Sequence, residues 1–161
     1  MNGSEFKKGW TGGLPETPCG YGSRVSRTRK QRIIIPEWIE RYEIQSLADI
    51  GAGDLNWSKL VDFGCAYAAY DLVPRVSGVT RYDLISEALP AADCYMVIWV
   101  LNHLPANQCK IAMRKLLKSK ARYLIMTHDP RMPKSTDIKP VESLVLKRKA
   151  EHIFELRLIR L

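Results

Sequence analysis

No apolar stretch of this sequence reaches the ~18 residues of a membrane-spanning helix. The opening Met-Asn-Gly-Ser-Glu-Phe-Lys-Lys also lacks the apolar segment of a secretory signal, so the expectation is a cytoplasmic protein with no membrane partner. Cysteine is sparse and scattered. Cys19, Cys65, Cys94 and Cys109 form no Cys-x-x-Cys pair and have no histidine at ligand spacing, which argues against a zinc site and against a disulfide framework. Acid is the scarcer charge, with 17 Asp and Glu against 25 Lys and Arg for a net charge of +8, a balance that suits anionic partners. What remains is 161 residues with 46% hydrophobic side chains, enough for the core of one domain in two or three layers.

Residues 1–23 carry Gly9, Gly12, Gly13, Pro15, Pro18, Gly20 and Gly22, a composition that favours an irregular arm. Trp10, Leu14 and Tyr21 give that arm the means to lie on the domain, which the sequence places at 24–161. From Arg24 to Arg32 five positive charges stand with no acid among them, either a phosphate-binding run or a solvated helix face. Ser26 or Thr28 is placed to cap a helix whose apolar face is Ile34, Ile35, Trp38, Ile39 and Tyr42, with Pro36 expected in its first turn or at a break. Strand-like runs follow at Cys65 to Leu72, Val79 to Leu84, Tyr95 to Leu101 and Arg122 to Thr127, the third of these apolar throughout and so expected at the sheet centre. Pro105 opens a helix through Lys118 with Cys109, Met113, Leu116 and Leu117 expected inward. Glu142 to Leu146 and His152 to Arg160 read as a terminal β-hairpin around Lys149 and Ala150, with Lys147, Arg148 and Lys149 at its turn.

Leu47 to Trp57 is the richest stretch. Ile44, Leu47 and Ile50 supply a strand that runs into a turn at Gly51 and Gly53, where backbone can approach a ligand with no Cβ in the way. Asp49 precedes the turn, and Asp71 closes the next strand at about the ~20-residue spacing of a ribose-binding acid. Asp54 or Asn56 is placed to cap a short helix from Trp57 to Val61.

The run Asp-Ile-Gly-Ala-Gly at 49–53, the strand-closing acids Asp71 and Asp83, and Val-Leu-Asn-His-Leu-Pro at 100–105 together resemble the class I S-adenosylmethionine-dependent methyltransferases, over about residues 33–161. The chain also looks like small, often phage-encoded members in which a Gly/Pro-rich arm precedes the fold. The resemblance implies an α/β, Rossmann-like fold with a mostly parallel sheet, S-adenosyl-L-methionine as cofactor, and methyl transfer to a small molecule or a nucleic acid. It implies cofactor contacts from Asp49, Gly51, Ala52, Gly53, Asp71, Leu72, Asp83 and Trp99. Arg24 or Arg27 is placed to reach the cofactor carboxylate or a phosphate on the substrate, since a guanidinium pairs with either in a fork. The chain departs from the pattern in having Leu55 where a third glycine would stand and almost no sequence for two crossover helices. If the third strand lies at the edge, Ile85 to Ala92 can span ~26 Å against the ~22 Å needed to reach the fourth. A sheet so stripped has one thinly covered face, open to the arm or to a second copy in a homo-oligomer.

Methyl transfer from a sulfonium is a direct displacement that asks for alignment and, for some acceptors, a base. His103, beyond the central strand, has the right ordinary pKa for that base, Asn102 can orient an acceptor, and His128 follows the next strand at the same edge. Neither Asn-Pro-Pro-Tyr nor Asp-Pro-Pro-Tyr occurs, and no Pro-Cys dipeptide follows the fourth strand, which argues against the common base-amino and cytosine C5 methyltransferases of DNA. Two other readings stand beside methyl transfer: a nucleic-acid-binding module on this scaffold without catalysis, and another reaction of the same cofactor.

Overall fold

The computed structural model describes residues 16–149 and 152–161. The expectations for Trp10, Leu14 and the glycines at 9, 12 and 13 fall outside that set, as does Ala150 at the hairpin turn. The side chains of Lys147, Arg148 and Lys149 are outside it too.

Seven strands form one sheet in the order β3-β2-β1-β4-β5-β7-β6. They are β1 (Ser46–Ile50), β2 (Ala66–Asp71), β3 (Val79–Arg81), β4 (Cys94–Val97), β5 (Tyr123–His128), β6 (Glu142–Lys149) and β7 (His152–Arg160). All pairings among β1 to β5 are parallel, while β7 runs antiparallel to both β5 and β6. The apolar run after residue 93 supplies β4, the middle strand of the seven, as its composition requires. It is shorter than expected, because the chain leaves the sheet after Val97 and winds into a 3-10 turn, Leu101–His103.

Alternate residues of each strand point to opposite faces, and each face has its own helix. On one face α1 (Arg29–Arg41) lays Ile35, Trp38 and Ile39 against Leu47, Met96, Ile125 and Leu158. On the other, α2 (Ala106–Leu117) lays Cys109, Met113 and Leu116 against Ile50, Val97, Leu124 and Met126. Coverage is thin toward the β2–β3 edge, where Ala66, Ala68, Thr80 and Arg81 are exposed. Leu117, expected inward, is exposed, because Cys109, Met113 and Leu116 complete the buried stripe.

Two other local expectations are corrected. Pro36 lies inside α1 rather than at its start or at a break, and α1 continues because Ile35 and Trp38 on either side are buried. Thr28 holds the N-cap position, but its hydroxyl bonds back to the carbonyls of Arg24 and Val25 instead of capping the helix. The missing crossover helices are indeed missing: β3 stands at the edge, and residues 72–78 and 82–93 connect without a helix. β3 is only three residues long because Tyr82 and Leu84 turn into the core.

Candidate active site

The C-terminal ends of β1, β2 and β4 meet where the chain reverses its direction of sheet building, β2 and β3 being added on one side of β1 and β4 on the other. Ligands of open α/β sheets bind outside such a switch point. The turn after β1 is fastened to β2: the N–H groups of Gly51 and Ala52 both donate to the Tyr70 carbonyl, at 2.8 and 3.0 Å. The Gly53 N–H donates to Asp71 Oδ2 at 2.8 Å, and the Val73 N–H donates to Asp71 Oδ1 at 2.9 Å. The acid and the glycine turn, separate in sequence, are therefore one unit. Each Asp71 oxygen keeps acceptor capacity beyond its one backbone bond.

Gly51 and Gly53 adopt φ of +86° and +62°, which favour glycine. Packing requires glycine as well, since a Cβ on Gly51 would stand 2.2 Å from Val100 Cγ2 and one on Gly53 2.7 Å from Cys19 Sγ. Leu55, at the place of the missing third glycine, still has a left-handed φ of 56°, so the backbone path is kept at a cost of about 1 kcal/mol. Asp54 Oδ1 accepts from the Asn56 N–H, and the helix expected from Trp57 is a single 3-10 turn, Ser58–Leu60. The Asn56 side chain does not cap it but reaches the arm.

Asp49 is buried beneath the turn, and Tyr67 donates its hydroxyl to Asp49 Oδ2 at 2.7 Å. Burial pushes the Asp49 carboxyl up to about 7, against the opposing pull of the Tyr67 bond. The same burial, with the neighbouring Asp49 charge, raises the Tyr67 phenol. Tyr67 was not foreseen. Its signal lay in the parallel register, which sets it two residues before Asp49's partner Ala69 and on the same face.

Beyond β4, Trp99 takes φ 55° and its N–H donates to Thr127 Oγ1 at 2.8 Å, tying the loop to β5. This bend carries Val100 over Gly51 and brings Asn102 and His103 to the same edge. Asn102 Nδ2 lies 3.4 Å from His103 Nε2, while Asn102 Oδ1 is buried without a hydrogen-bond partner. Burial lowers the His103 pKa, so its ring is neutral at neutral pH. His128, at the end of β5, is also buried, with Nε2 2.8 Å from Asp137 Oδ1. Asp83 lies two residues beyond β3 and holds its own turn, accepting from the Ile85 N–H and the Ser86 hydroxyl at 2.8 Å each. Those bonds outweigh burial and lower its pKa. Leu72 is exposed beside Asp71.

The described part of the arm packs on this edge. Cys19 faces Gly53, and Gly22 lies against the Trp99 ring. Asn56 Nδ2 donates to Glu16 Oε1 and to the Ser23 carbonyl, both at 2.9 Å, and Glu16 Oε1 also accepts from the Val25 N–H. Burial, reinforced by the neighbouring Asp54 carboxylate, pushes the Cys19 thiol up to about 11, so it stays protonated. Arg24 and Arg27 stand over the Tyr21 ring at 5.5 and 4.2 Å from its centroid. Among the described residues no group of three His, Cys, Asp or Glu side chains is arranged to hold a metal, and no helix is long and apolar enough to cross a membrane.

A seven-stranded sheet in this order, with β7 alone reversed and a glycine turn after β1 bonded to the acid of β2, is the class I methyltransferase fold. Solved structures agree. The N-methyltransferase NodS from Bradyrhizobium japonicum, in complex with S-adenosyl-L-homocysteine, matches with a TM-score of 0.68 at 13% identity, over 98% of this chain and 97% of that one. Magnesium protoporphyrin IX methyltransferase from Synechocystis, with bound S-adenosylmethionine, matches with a TM-score of 0.61 at 14% identity, over 84% and 81%. The methyltransferase domain of a bacterial Hen1 protein matches with a TM-score of 0.59 at 13% identity, over 84% and 100%. No family model and no curated protein matches the sequence.

Proposed function

We propose that this protein binds S-adenosyl-L-methionine at the C-terminal edge of β1, β2 and β4 and transfers its methyl group to a small-molecule or nucleic-acid acceptor. The observation that carries the proposal is the pairing of Asp71 with the Gly53 N–H, which fixes a carboxylate beside a glycine turn at the switch point of the sheet. The residues suit the cofactor. Asp71 accepts the two ribose hydroxyls in charge-assisted bonds that a neutral side chain could not match. The backbone of Gly51, Ala52 and Gly53 faces the methionine portion, with Asp49 beneath it as the buried support of the turn. Leu72 and Trp99 wall the adenosine, and Asp83 holds the loop that borders the adenine.

The cofactor supplies an electrophilic methyl group on a sulfonium. The protein orients the acceptor and removes water from the line of displacement. Asn102 offers its unpaired Oδ1 to an acceptor N–H or O–H. His103, held neutral by burial, takes the acceptor proton where one is lost. His128, engaged with Asp137, supports the same edge and is the second candidate for that step. Solved methyltransferases of the same fold with the cofactor or its product bound support this reading.

Isothermal titration with S-adenosyl-L-homocysteine tests it. Wild type is expected to bind with a micromolar dissociation constant and Asp71→Ala at least about tenfold more weakly, two charge-assisted hydrogen bonds being lost. A folded Asp71→Ala protein that binds as wild type does would remove the assignment.

A further inference from the structure

Arg24 and Arg27 follow the arm segment that packs on the proposed methyl-transfer edge, and Arg29 opens α1. Among the described residues, no salt bridge involves Arg24, Arg27 or Arg29. Glu16 feels the charge of Arg24, yet its Oε1 serves the Val25 N–H and Asn56. Arg24 Nε is buried with no hydrogen-bond partner, an orphaned charged donor of the kind that a bound anion satisfies. Lys30 donates to the Val145 carbonyl, and Arg32 donates through Nη2 to the Val25 carbonyl while its own Nε, like that of Arg24, is buried without a partner.

The same segment presents an aromatic surface. Tyr21 is 47% exposed, although its ring carries the guanidinium of Arg27 at 4.2 Å and that of Arg24 at 5.5 Å. Stacking on the ring limits the freedom of both side chains, so that less entropy is lost when they grip a phosphate. Gly22, the next residue, touches Trp99 of the β4 loop, three and four residues before Asn102 and His103. A single phosphorylated metabolite needs one such fork. Arg24, Arg27 and Arg29 offer three along a continuous stretch, together with a half-exposed aromatic ring and the guanidinium planes stacked on it, against which an unpaired base can pack.

We infer that Tyr21, Arg24, Arg27 and Arg29 form a binding ridge for single-stranded nucleic acid, which delivers a nucleotide of that strand to the neighbouring edge as the methyl acceptor. The inference rests on reading that edge as the methyl-transfer site. It also moves Arg24 from the cofactor to the acceptor side.

The test measures binding of a fluorescent single-stranded oligonucleotide of about 20 nucleotides by anisotropy across salt. Three phosphate contacts on a single strand give a slope near −2 in log affinity against log salt, a loss of about 20-fold between ~50 and ~200 mM. Arg27→Ala is expected to reduce that slope by about 0.7 and to weaken binding at least about fivefold. Tyr21→Leu is expected to weaken it about tenfold with the slope unchanged. Titration with S-adenosyl-L-homocysteine accompanies each variant and should be unaltered in Arg27→Ala. No strand binding by wild type, variants that bind as wild type does, or equal competition by a free nucleoside monophosphate would each overturn the inference. Strand binding that persists without any cofactor binding would instead overturn the methyltransferase reading, so the two failures are distinguishable.

Discussion

Asp49 shows how a residue that looks like part of a ligand motif is first a problem of burial. It is 3% exposed, and removal from water lifts its carboxyl from an ordinary 3.8 up to about 7 while the Tyr67 hydroxyl pulls it back. Between those two values the unfolded chain has released the proton and the folded chain still holds it. The folded state thus binds more protons, and this group's contribution makes stability fall as pH rises across that window. Asparagine keeps an acceptor for the Tyr67 hydroxyl and never ionises. Urea unfolding of Asp49→Asn is therefore expected to gain on wild type as pH goes from about 4 to about 8, with the advantage levelling off above 7. A constant difference across that range would mean that the folded chain carries Asp49 ionised. The acid before the turn was legible in the sequence, because strand, acid and glycines are adjacent there. Tyr67 was not, since a single sequence does not state the register of two parallel strands.

At the scale of elements, the sequence was legible wherever burial and chain direction agreed. The wholly apolar run became β4, the acid-terminated run became β2, and the two terminal runs paired as β6 and β7. The placement of β7 between β5 and β6 was hidden, because an antiparallel insertion depends on which edge is free. Pro36 was misplaced for a related reason: local propensity stops a helix there, while Ile35 at 0% and Trp38 at 1% exposure hold it on the sheet. In the eighth position of a 13-residue helix its ring removes a backbone donor to the Arg32 carbonyl. Pro36→Ala restores that bond. Interior proline costs ~3 kcal/mol against alanine, and the stiffer unfolded chain returns about 1, so a net gain of about 2 kcal/mol in chemical denaturation is expected. A loss of stability would show that α1 needs the bend which proline imposes to follow the sheet.

At the scale of the whole molecule, the parts that converge on one edge belong to distant segments: the turn at 51–53, the acid at 71, the loop at 99–103 and the described part of the arm at 16–23. The arm touches Gly53 and Trp99 at that edge, but the residue that anchors it reads from sequence as a helix cap. Asn56 joins arm to domain through Glu16 and the Ser23 carbonyl. It is 8% exposed, so its amide has little water to fall back on when those bonds break. Replacing it by alanine removes both bonds and leaves the backbone turn intact, a loss of about 1–3 kcal/mol that falls on the docked arm rather than on the sheet. With fast reclosing, proteolysis follows the population of the open form. Trypsin is therefore expected to cut after Arg24 and Arg27 about 5- to 160-fold faster in Asn56→Ala, while sites in the β5 and β7 region stay protected. S-adenosyl-L-homocysteine should slow the same cleavages in wild type if the arm closes over bound cofactor. Equal cleavage with and without it, alongside measured binding, would mean that the arm rests on the domain without covering the site.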